Sequence, residues 1–114
     1  MKILHLNVKR KWFDLIASGE KRIEYRAYNE YWFSRLVKNA GIVIIMKVFD
    51  EIYFKNGMFR NGKPAPFLRI THLNTQVTYT LNPITGKFED MFLIHLGDII
   101  EIKNWKVNNE KRKM

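Results

Sequence analysis

The chain has 114 residues and a formal net charge of +9, and it contains no cysteine. Its length and its hydrophobic fraction of 46% suit one packed domain. The lack of cysteine excludes disulfides, thiolate metal sites and cysteine nucleophiles, and it favours a cytoplasmic location. The excess of basic residues attracts polyanions, so nucleic acid leads the partner classes, although positive charge can also serve solubility alone.

Neither the first residues nor the apolar runs predict a leader or a membrane span. Residues 1–6 lack the apolar core of a signal peptide. The longest apolar run, residues 42–46, is far too short to cross a bilayer. We therefore expect no membrane partner, and we expect a monomer or a weak dimer.

The chain opens with a strand pattern followed by a helix pattern. Residues 2–8 alternate apolar and polar side chains, which is typical of a strand. In residues 9–18, Trp12 and Ile16 fall on one face with other apolar residues, which predicts an amphipathic helix. Gly19 supplies the left-handed residue that commonly ends such a helix.

A second strand and a second helix follow. Residues 21–27 alternate again, with Glu24 and Arg26 on one face of the predicted strand. Asn29 can cap a helix whose apolar spacing continues until residues 39–41. We expect this helix to cover an open end or face of the sheet.

The rest of the chain has mostly strand patterns. Predicted strands lie at residues 42–48, 51–54, 67–73, 77–81, 91–96 and 99–102. The last four form two pairs, the second of which turns at Gly97 and Asp98. Residues 60–66 predict an exposed basic loop, and residues 106–114 a basic, flexible tail. Two early helices among six or seven short strands predict one α+β domain, residues 1–105, built as a small closed β-barrel.

The polar residues of the second strand have a geometric reason to converge. Glu24 and Arg26 lie two residues apart and share a face, and Lys21 sits where helix gives way to strand. Arg26 can hold a phosphate or carboxylate with two hydrogen bonds, while Lys21 can act as a point charge or base. Glu24 can accept a hydrogen bond from a base or ribose. The alternative is a solvated ion pair that contributes less than about 1 kcal/mol.

Several short motifs lie in order along nearly the whole chain. They are residues 12–16, Gly19-Glu20-Lys21, Glu24-Tyr25-Arg26, Trp32, Arg35-Leu36, residues 54–57 and residues 92–97. Together they resemble the signature of ASCH domains, which belong to the PUA-like β-barrels. The resemblance is greatest to the small ASCH-type proteins of bacteriophages and their hosts. The order and spacing of the motifs are more specific than the Gly-x-Lys core alone.

The resemblance implies a barrel with a cleft beside the first helix and the motif strand, and a role in RNA binding. Some ASCH proteins are amidohydrolases on an acetylated cytidine, and others are ribonucleases. Lys21 matches the proposed catalytic lysine of the amidohydrolases, but Glu24 stands where they have threonine. A carboxylate beside Lys21 favours its ammonium form and opposes its use as a neutral base or nucleophile. The distant glutamate of those enzymes has no assigned counterpart here.

Further ligand contacts can come from aromatic and basic residues near the motif. Tyr28 is the candidate for stacking on a base, whereas Tyr25 and Trp32 match core positions. Lys9, Arg10 and Lys11 can contact phosphates. Three further basic residues can extend that patch if the loop and the first helix are neighbours: Arg60, Lys63 and Arg69.

No motif predicts a metal or a cofactor, because His5, His72 and His95 stand apart in separate strands. Three hypotheses for function follow. The first is a binding module for single-stranded RNA or a modified nucleoside, which uses Lys21, Glu24 and Arg26. The second is a hydrolase with catalytic Lys21 and Glu24. The third is a phage accessory protein that binds another protein through exposed aromatic residues.

Overall fold

The computed structural model describes residues 1–57 and 62–105. In this part of the chain, the elements in order are β1 (Ile3–Asn7), α1 (Arg10–Ala17), β2 (Ile23–Ala27), α2 (Glu30–Leu36), β3 (Val37–Ala40), β4 (Val43–Met46), β5 (Glu51–Lys55), β6 (Phe67–Leu81) and β7 (Phe88–Lys103). The predicted flexible tail, residues 106–114, lies outside the described residues. Neither helix is long and apolar enough to cross a membrane.

Five strands form the main sheet, in the order β1-β5-β6-β7-β2. β1 runs parallel to β5, and the other neighbours are antiparallel. The predicted small α+β fold is confirmed. Strand pairing within the described residues does not close the sheet into a barrel, so β1 and β2 are its two edges. Both edge strands lead into or out of α1, which brings them to the same side of the molecule.

The core lies between this curved sheet and the two helices. α1 buries Phe13, Ile16 and Ala17, and α2 buries Leu36. Asn29 caps α2 as predicted, because its side-chain oxygen accepts a hydrogen bond from the Trp32 backbone N–H at 3.0 Å. The sheet adds large side chains that are almost fully buried: Phe54, Phe92, Ile52, Leu68, Ile70, Ile94 and Leu96.

β6 and β7 correct the prediction of two short strand pairs. They have 15 and 16 residues and pair with each other along most of their length. Gly97 does not form a turn but lies inside β7, opposite an irregular stretch of β6. A Cβ at this position would overlap the hydroxyl oxygen of Thr71. The glycine therefore permits a close approach of two strands, which its residue type alone does not distinguish from a turn.

Residues 37–46 form a separate hairpin, which corrects the predictions of a second helix that continues to residues 39–41 and of one continuous strand over residues 42–48. α2 ends at Leu36, and β3 then pairs with β4 around a turn at Gly41, which has a φ of 68°. Ile42 and the first three residues of β4 are exposed. The apolar run therefore reflects a hairpin outside the main sheet and not a core strand.

Candidate functional site

An open cleft lies where the end of β1 approaches β2. Its volume is about 640 Å³. It is lined by Asn7, Val8, Lys9, Lys11, Trp12, Lys21, Glu24, Tyr25, Arg26, Ala27, Asn82, Pro83, Ile84, Thr85 and Met91. Residues from four separate parts of the sequence, the last of which is Met91 on β7, therefore build one site.

The turn between α1 and β2 positions Lys21. Gly19 has a φ of 85° and redirects the chain after the helix. The backbone N–H of Lys21 then donates to the carbonyl of Leu15 at 2.9 Å, so the residue is tied to the last turn of α1. This attachment places the lysine side chain beside the first residues of β2.

Lys21, Glu24 and Arg26 meet as the sequence pattern predicts. The Lys21 Nζ lies 3.4 Å from Oε1 of Glu24, and the Arg26 Nη2 lies 2.6 Å from Oε2. Arg26 Nε donates to the same Oε2 at 3.2 Å. The three side chains are only 13%, 8% and 17% exposed, so they form a largely buried network and not a solvated pair. Both carboxylate oxygens of Glu24 are thus engaged by the protein's own cations.

Aromatic rings surround the two cations. The Lys21 Nζ lies 5.2 Å from the ring centre of Trp12 and 5.1 Å from that of Tyr25. The guanidinium carbon of Arg26 lies 4.7 Å from the ring centre of Trp32. Cations at these distances are attracted to the ring faces, which restricts where their charges can point.

The β1 side of the cleft is held by hydrogen bonds from two directions. Arg26 Nη2 donates to the Asn7 carbonyl at 3.0 Å, which links β2 to the end of β1. On the other side, the Asn56 amide donates to the Val8 carbonyl at 2.9 Å, and the Gly57 N–H donates to the Asn7 side chain at 3.0 Å. The backbone that leads to Lys9 is therefore fixed before the helix begins.

The turn that joins β6 and β7 forms the opposite wall. The side-chain oxygen of Asn82 accepts hydrogen bonds from the N–H groups of Ile84 and Thr85, at 2.8 and 3.4 Å. Its amide nitrogen donates to Glu89 Oε1 at 3.1 Å. Asn82 is only 7% exposed, so this buried side chain organises the turn.

The lining carries an excess of positive charge. In the part of the chain that the structure describes, it includes four cationic side chains, Lys9, Lys11, Lys21 and Arg26, against the single carboxylate of Glu24. Among the described residues, Nη1 of Arg26 has no hydrogen-bond acceptor, because its partners all bind Nε or Nη2. The cleft therefore offers free N–H donors and net positive potential to an anion.

Not every predicted ligand residue reaches this cleft. Lys9 lines it, but Tyr28 lies outside and packs its ring against Phe33 and Phe92. Tyr25, which we assigned to the core, lines the cleft instead. Arg10 lies outside it and pairs with Asp14 at 2.7 Å.

The predicted basic patch is divided. Arg10 and Lys63 line a second cleft of about 390 Å³, so the loop and the first helix are neighbours. Arg69 is not free, because its guanidinium pairs with Glu51 at 2.8 Å and with Glu101 at 3.5 Å. Its hydrogen bond to Glu51 holds the pKa of Arg69 above its ordinary value. Arg60 lies outside the described residues.

Sequence reasoning missed the β6–β7 turn and the role of Trp12 at the cleft. The turn residues lie far from the motif in sequence, and their polar pattern predicts only a turn. Trp12 lies on the apolar face of α1, so its periodicity predicts core packing. Glu89 contributes to this wall indirectly, because its Oε1 accepts the hydrogen bond from the Asn82 amide.

Within residues 1–57 and 62–105, no group of three or more His, Asp or Glu side chains is arranged to hold a metal ion. Comparisons with protein-family models, with curated proteins and with solved structures find no match. The resemblance to ASCH domains therefore stays a prediction that is carried by the motifs of this chain.

Proposed function

We propose that the cleft binds single-stranded RNA or a nucleotide, with its cations on phosphate and its aromatic rings beside a base. The proposal rests on one observation: four cationic side chains and two aromatic rings line the same cleft of about 640 Å³. The carboxylate of Glu24, which also lines it, is paired with Lys21 and Arg26. Lysine and arginine supply affinity for phosphate, and aromatic side chains supply stacking that tolerates any base.

The geometry divides the work among the residues. Arg26 offers Nη1 to a phosphate, while Lys9 and Lys11 supply charge at the rim. Trp12 and Tyr25, whose rings lie beside the Lys21 ammonium group, offer surface on which a base can stack. Glu24 acts as a positioning residue, because both of its oxygens already accept from Lys21 and Arg26. This role replaces the earlier hypothesis that Glu24 reads a donor on the ligand.

The proposal includes membership of the ASCH family and a PUA-like barrel. Its support is local: the resemblance implies a cleft beside the first helix and the motif strand, and a cleft with the motif residues lies there. The curved sheet whose two edges approach each other at Arg26 and Asn7 is compatible with a barrel-like architecture.

A hydrolase is the second candidate, and the ion pair of Lys21 bears on it. Nζ of Lys21 lies 3.4 Å from the Glu24 carboxylate and is held in an ion pair. An ion-paired cation suits the binding of an anion, whereas a lysine nucleophile must be neutral. Incubation with acetylated cytidine and with labelled RNA separates the two functions: product formation that Lys21→Ala abolishes would replace the binding proposal with an enzyme.

The binding proposal predicts a salt dependence that the cleft residues control. Fluorescence anisotropy with oligonucleotides of about ten nucleotides measures affinity between about 50 and 200 mM salt. We expect the logarithm of affinity to fall linearly with the logarithm of salt, with a slope of about −0.7 for each phosphate neutralised. Lys11→Ala should make the slope shallower by about one such increment.

Lys38→Ala is the matched control, because Lys38 is an exposed lysine on β3 that does not line the cleft. It should leave the slope unchanged. A flat salt response of the wild-type protein, or equal effects of the two substitutions, would contradict the proposal.

A further inference from the structure

Within residues 1–57 and 62–105, one edge of β2 has no strand partner. The pairing on its other edge determines which backbone groups of β2 point outward. The Leu96 backbone N–H donates to the Arg22 carbonyl at 3.0 Å, next to the paired residues Ile23 and His95. In an antiparallel ladder, hydrogen-bonded and non-hydrogen-bonded pairs alternate. Arg22 and Leu96 form a hydrogen-bonded pair, so the next such pairs are Glu24 with Ile94 and Arg26 with Phe92. The backbone N–H and C=O groups of Glu24 and Arg26 therefore point toward β7.

The alternate residues of β2 are Ile23, Tyr25 and Ala27, and their N–H and C=O groups point away from β7. Tyr25 and Ala27 both line the cleft, whereas Ile23 does not. Among the described residues, no hydrogen bond to the outward groups of Tyr25 or Ala27 is present outside the β2–β7 ladder. The cleft therefore contains a short row of backbone donors and acceptors.

We propose that this open edge of β2 recognises the Watson–Crick edge of a nucleobase through the backbone groups of Tyr25 and Ala27. The inference rests on the proposed nucleotide-binding function and adds the element that reads the base. In an extended strand, the N–H and C=O of one residue point the same way. They can therefore pair with an adjacent acceptor and donor on a planar ring, as they would pair with another strand.

The surroundings favour a base over an added peptide strand. Only two outward-facing residues of β2 border the cleft, which is short for strand addition. The Arg26 guanidinium also spans the gap from β2 to the Asn7 carbonyl, so it blocks continuous pairing along this edge. A single planar ring needs only one or two such backbone groups.

The side chains around the edge suit the rest of a nucleotide. The Tyr25 and Trp12 rings supply apolar surface beside Lys21, and the free N–H groups of Arg26 lie near the same edge. A base that pairs with the backbone would thus keep its phosphate within reach of cations. Every standard base has an adjacent donor and acceptor on this edge, so the backbone alone demands an unblocked ring nitrogen and no particular base.

Ala27→Pro tests the protein side of the contact. Proline removes only an outward N–H here, and an edge strand tolerates it for that reason. Arg26, which precedes it, already has the extended conformation that proline requires. The probe is the homopolymer of about ten nucleotides that the wild-type protein binds best among the four. We expect Ala27→Pro to weaken binding about tenfold more than Ala27→Val, which adds bulk but keeps the donor.

Ile23→Pro is the matched control, because it removes an outward N–H of the same strand beyond the cleft. Its affinity should equal that of the wild type when both proteins are measured well below their unfolding temperatures. Equal affinities of Ala27→Pro and Ala27→Val, or equal losses in Ala27→Pro and Ile23→Pro, would overturn the proposal while the function of the cleft stands.

The ligand side is tested on the wild-type protein, so it does not depend on how any variant folds. The same oligomer with its Watson–Crick ring nitrogens methylated should bind about tenfold more weakly. Methylation should weaken binding by the Ala27→Pro protein little further, since the hydrogen bond from the residue 27 N–H is already absent in that variant. Equal affinity of the wild-type protein for the methylated and the unmethylated oligomer would overturn the proposal that the β2 backbone recognises the base. Absence of binding to every homopolymer would instead contradict the proposed function itself.

Discussion

Glu24 determines how the charges of the cleft are arranged. Among the described residues it is the single carboxylate of the lining, and each of its oxygens pairs with one cation. Its side chain is 8% exposed, so the network forms in a setting where electrostatic attraction is stronger than in water. Removing its charge would leave two cations close together with little solvent.

Glu24→Gln should therefore destabilise the fold and displace Lys21 and Arg26. We expect a loss of about 2 kcal/mol in the free energy of unfolding, less than for a fully buried pair, because both cations retain some exposure. Urea denaturation measures it. Glu20→Gln, at an exposed glutamate in the preceding turn, should change stability by less than about 0.5 kcal/mol. Equal losses would mean that the network is not a structural element.

At this scale the sequence predicted the ion network but not the aromatic contacts. Lys21, Glu24 and Arg26 are close in sequence, so strand alternation and one turn were enough to bring them together. Tyr25 belongs to the opposite face by the same alternation. Tyr25 nevertheless lines the cleft, because β2 is an edge strand that no further strand flanks among the described residues. Which strand is an edge depends on the whole sheet.

The turn between β6 and β7 forms the wall of the cleft opposite β1, and pairing of β7 with β2 places that turn beside β2. The register between the strands shifts around residues 69–74, where Gly97 lies opposite Thr71. Thr71 Oγ accepts a hydrogen bond from the Asp98 N–H at 2.8 Å at this place. A glycine flanked by apolar strands predicts a turn as readily as a close strand contact, which is why one long strand was predicted as two.

Gly97→Ala should destabilise the protein, because the new Cβ would meet the Thr71 hydroxyl and lie 3.2 Å from its carbonyl oxygen. Such overpacking costs about 1–3 kcal/mol. In a Thr71→Ala background the hydroxyl is absent, so the same substitution should cost less. A double-mutant cycle from chemical denaturation measures this coupling. Strictly additive losses would contradict a direct clash.

The hairpin of β3 and β4 shows that an apolar run in the sequence does not by itself indicate a buried strand. Residues 42–46 are all apolar, and a run of that kind predicts one continuous strand. Gly41 turns the chain just before the run, and the strand then pairs only with β3 within the described residues. The apolar pattern identified a strand correctly, but burial depends on what packs against the strand.

At the scale of the whole molecule, the cleft exists because the curved sheet brings its two edges together. β1 and β2 are neighbours in sequence across α1, yet they lie at opposite ends of the strand order. The long β6–β7 pair lies between them in that order, and its two strands are joined through the turn at Asn82. Sequence periodicity predicts strands and faces but not which distant segments meet. The motif resemblance therefore placed a cleft beside α1 and β2, but the sequence did not predict the β6–β7 turn as its opposite wall.

His72 links the stability of this sheet to pH. It is 9% exposed on β6, accepts from the Phe49 N–H through Nδ1 at 3.2 Å, and lies 2.8 Å from the Thr75 hydroxyl through Nε2. Burial lowers the pKa of His72, and repulsion from His95 acts in the same direction. Protonation would also break the bond from Phe49, since a charged imidazole has no acceptor.

A folded-state pKa of His72 below its unfolded value means that the unfolded chain binds more protons in this range. Stability should therefore be constant above about pH 6.5 and should fall as the pH drops below it. Urea midpoints between about pH 7.5 and 5.5 measure this slope. His72→Gln should flatten it, whereas His5→Gln, at an exposed histidine of β1, should leave it unchanged. A slope that persists without His72, or one that rises toward acid, would show that another group controls the response.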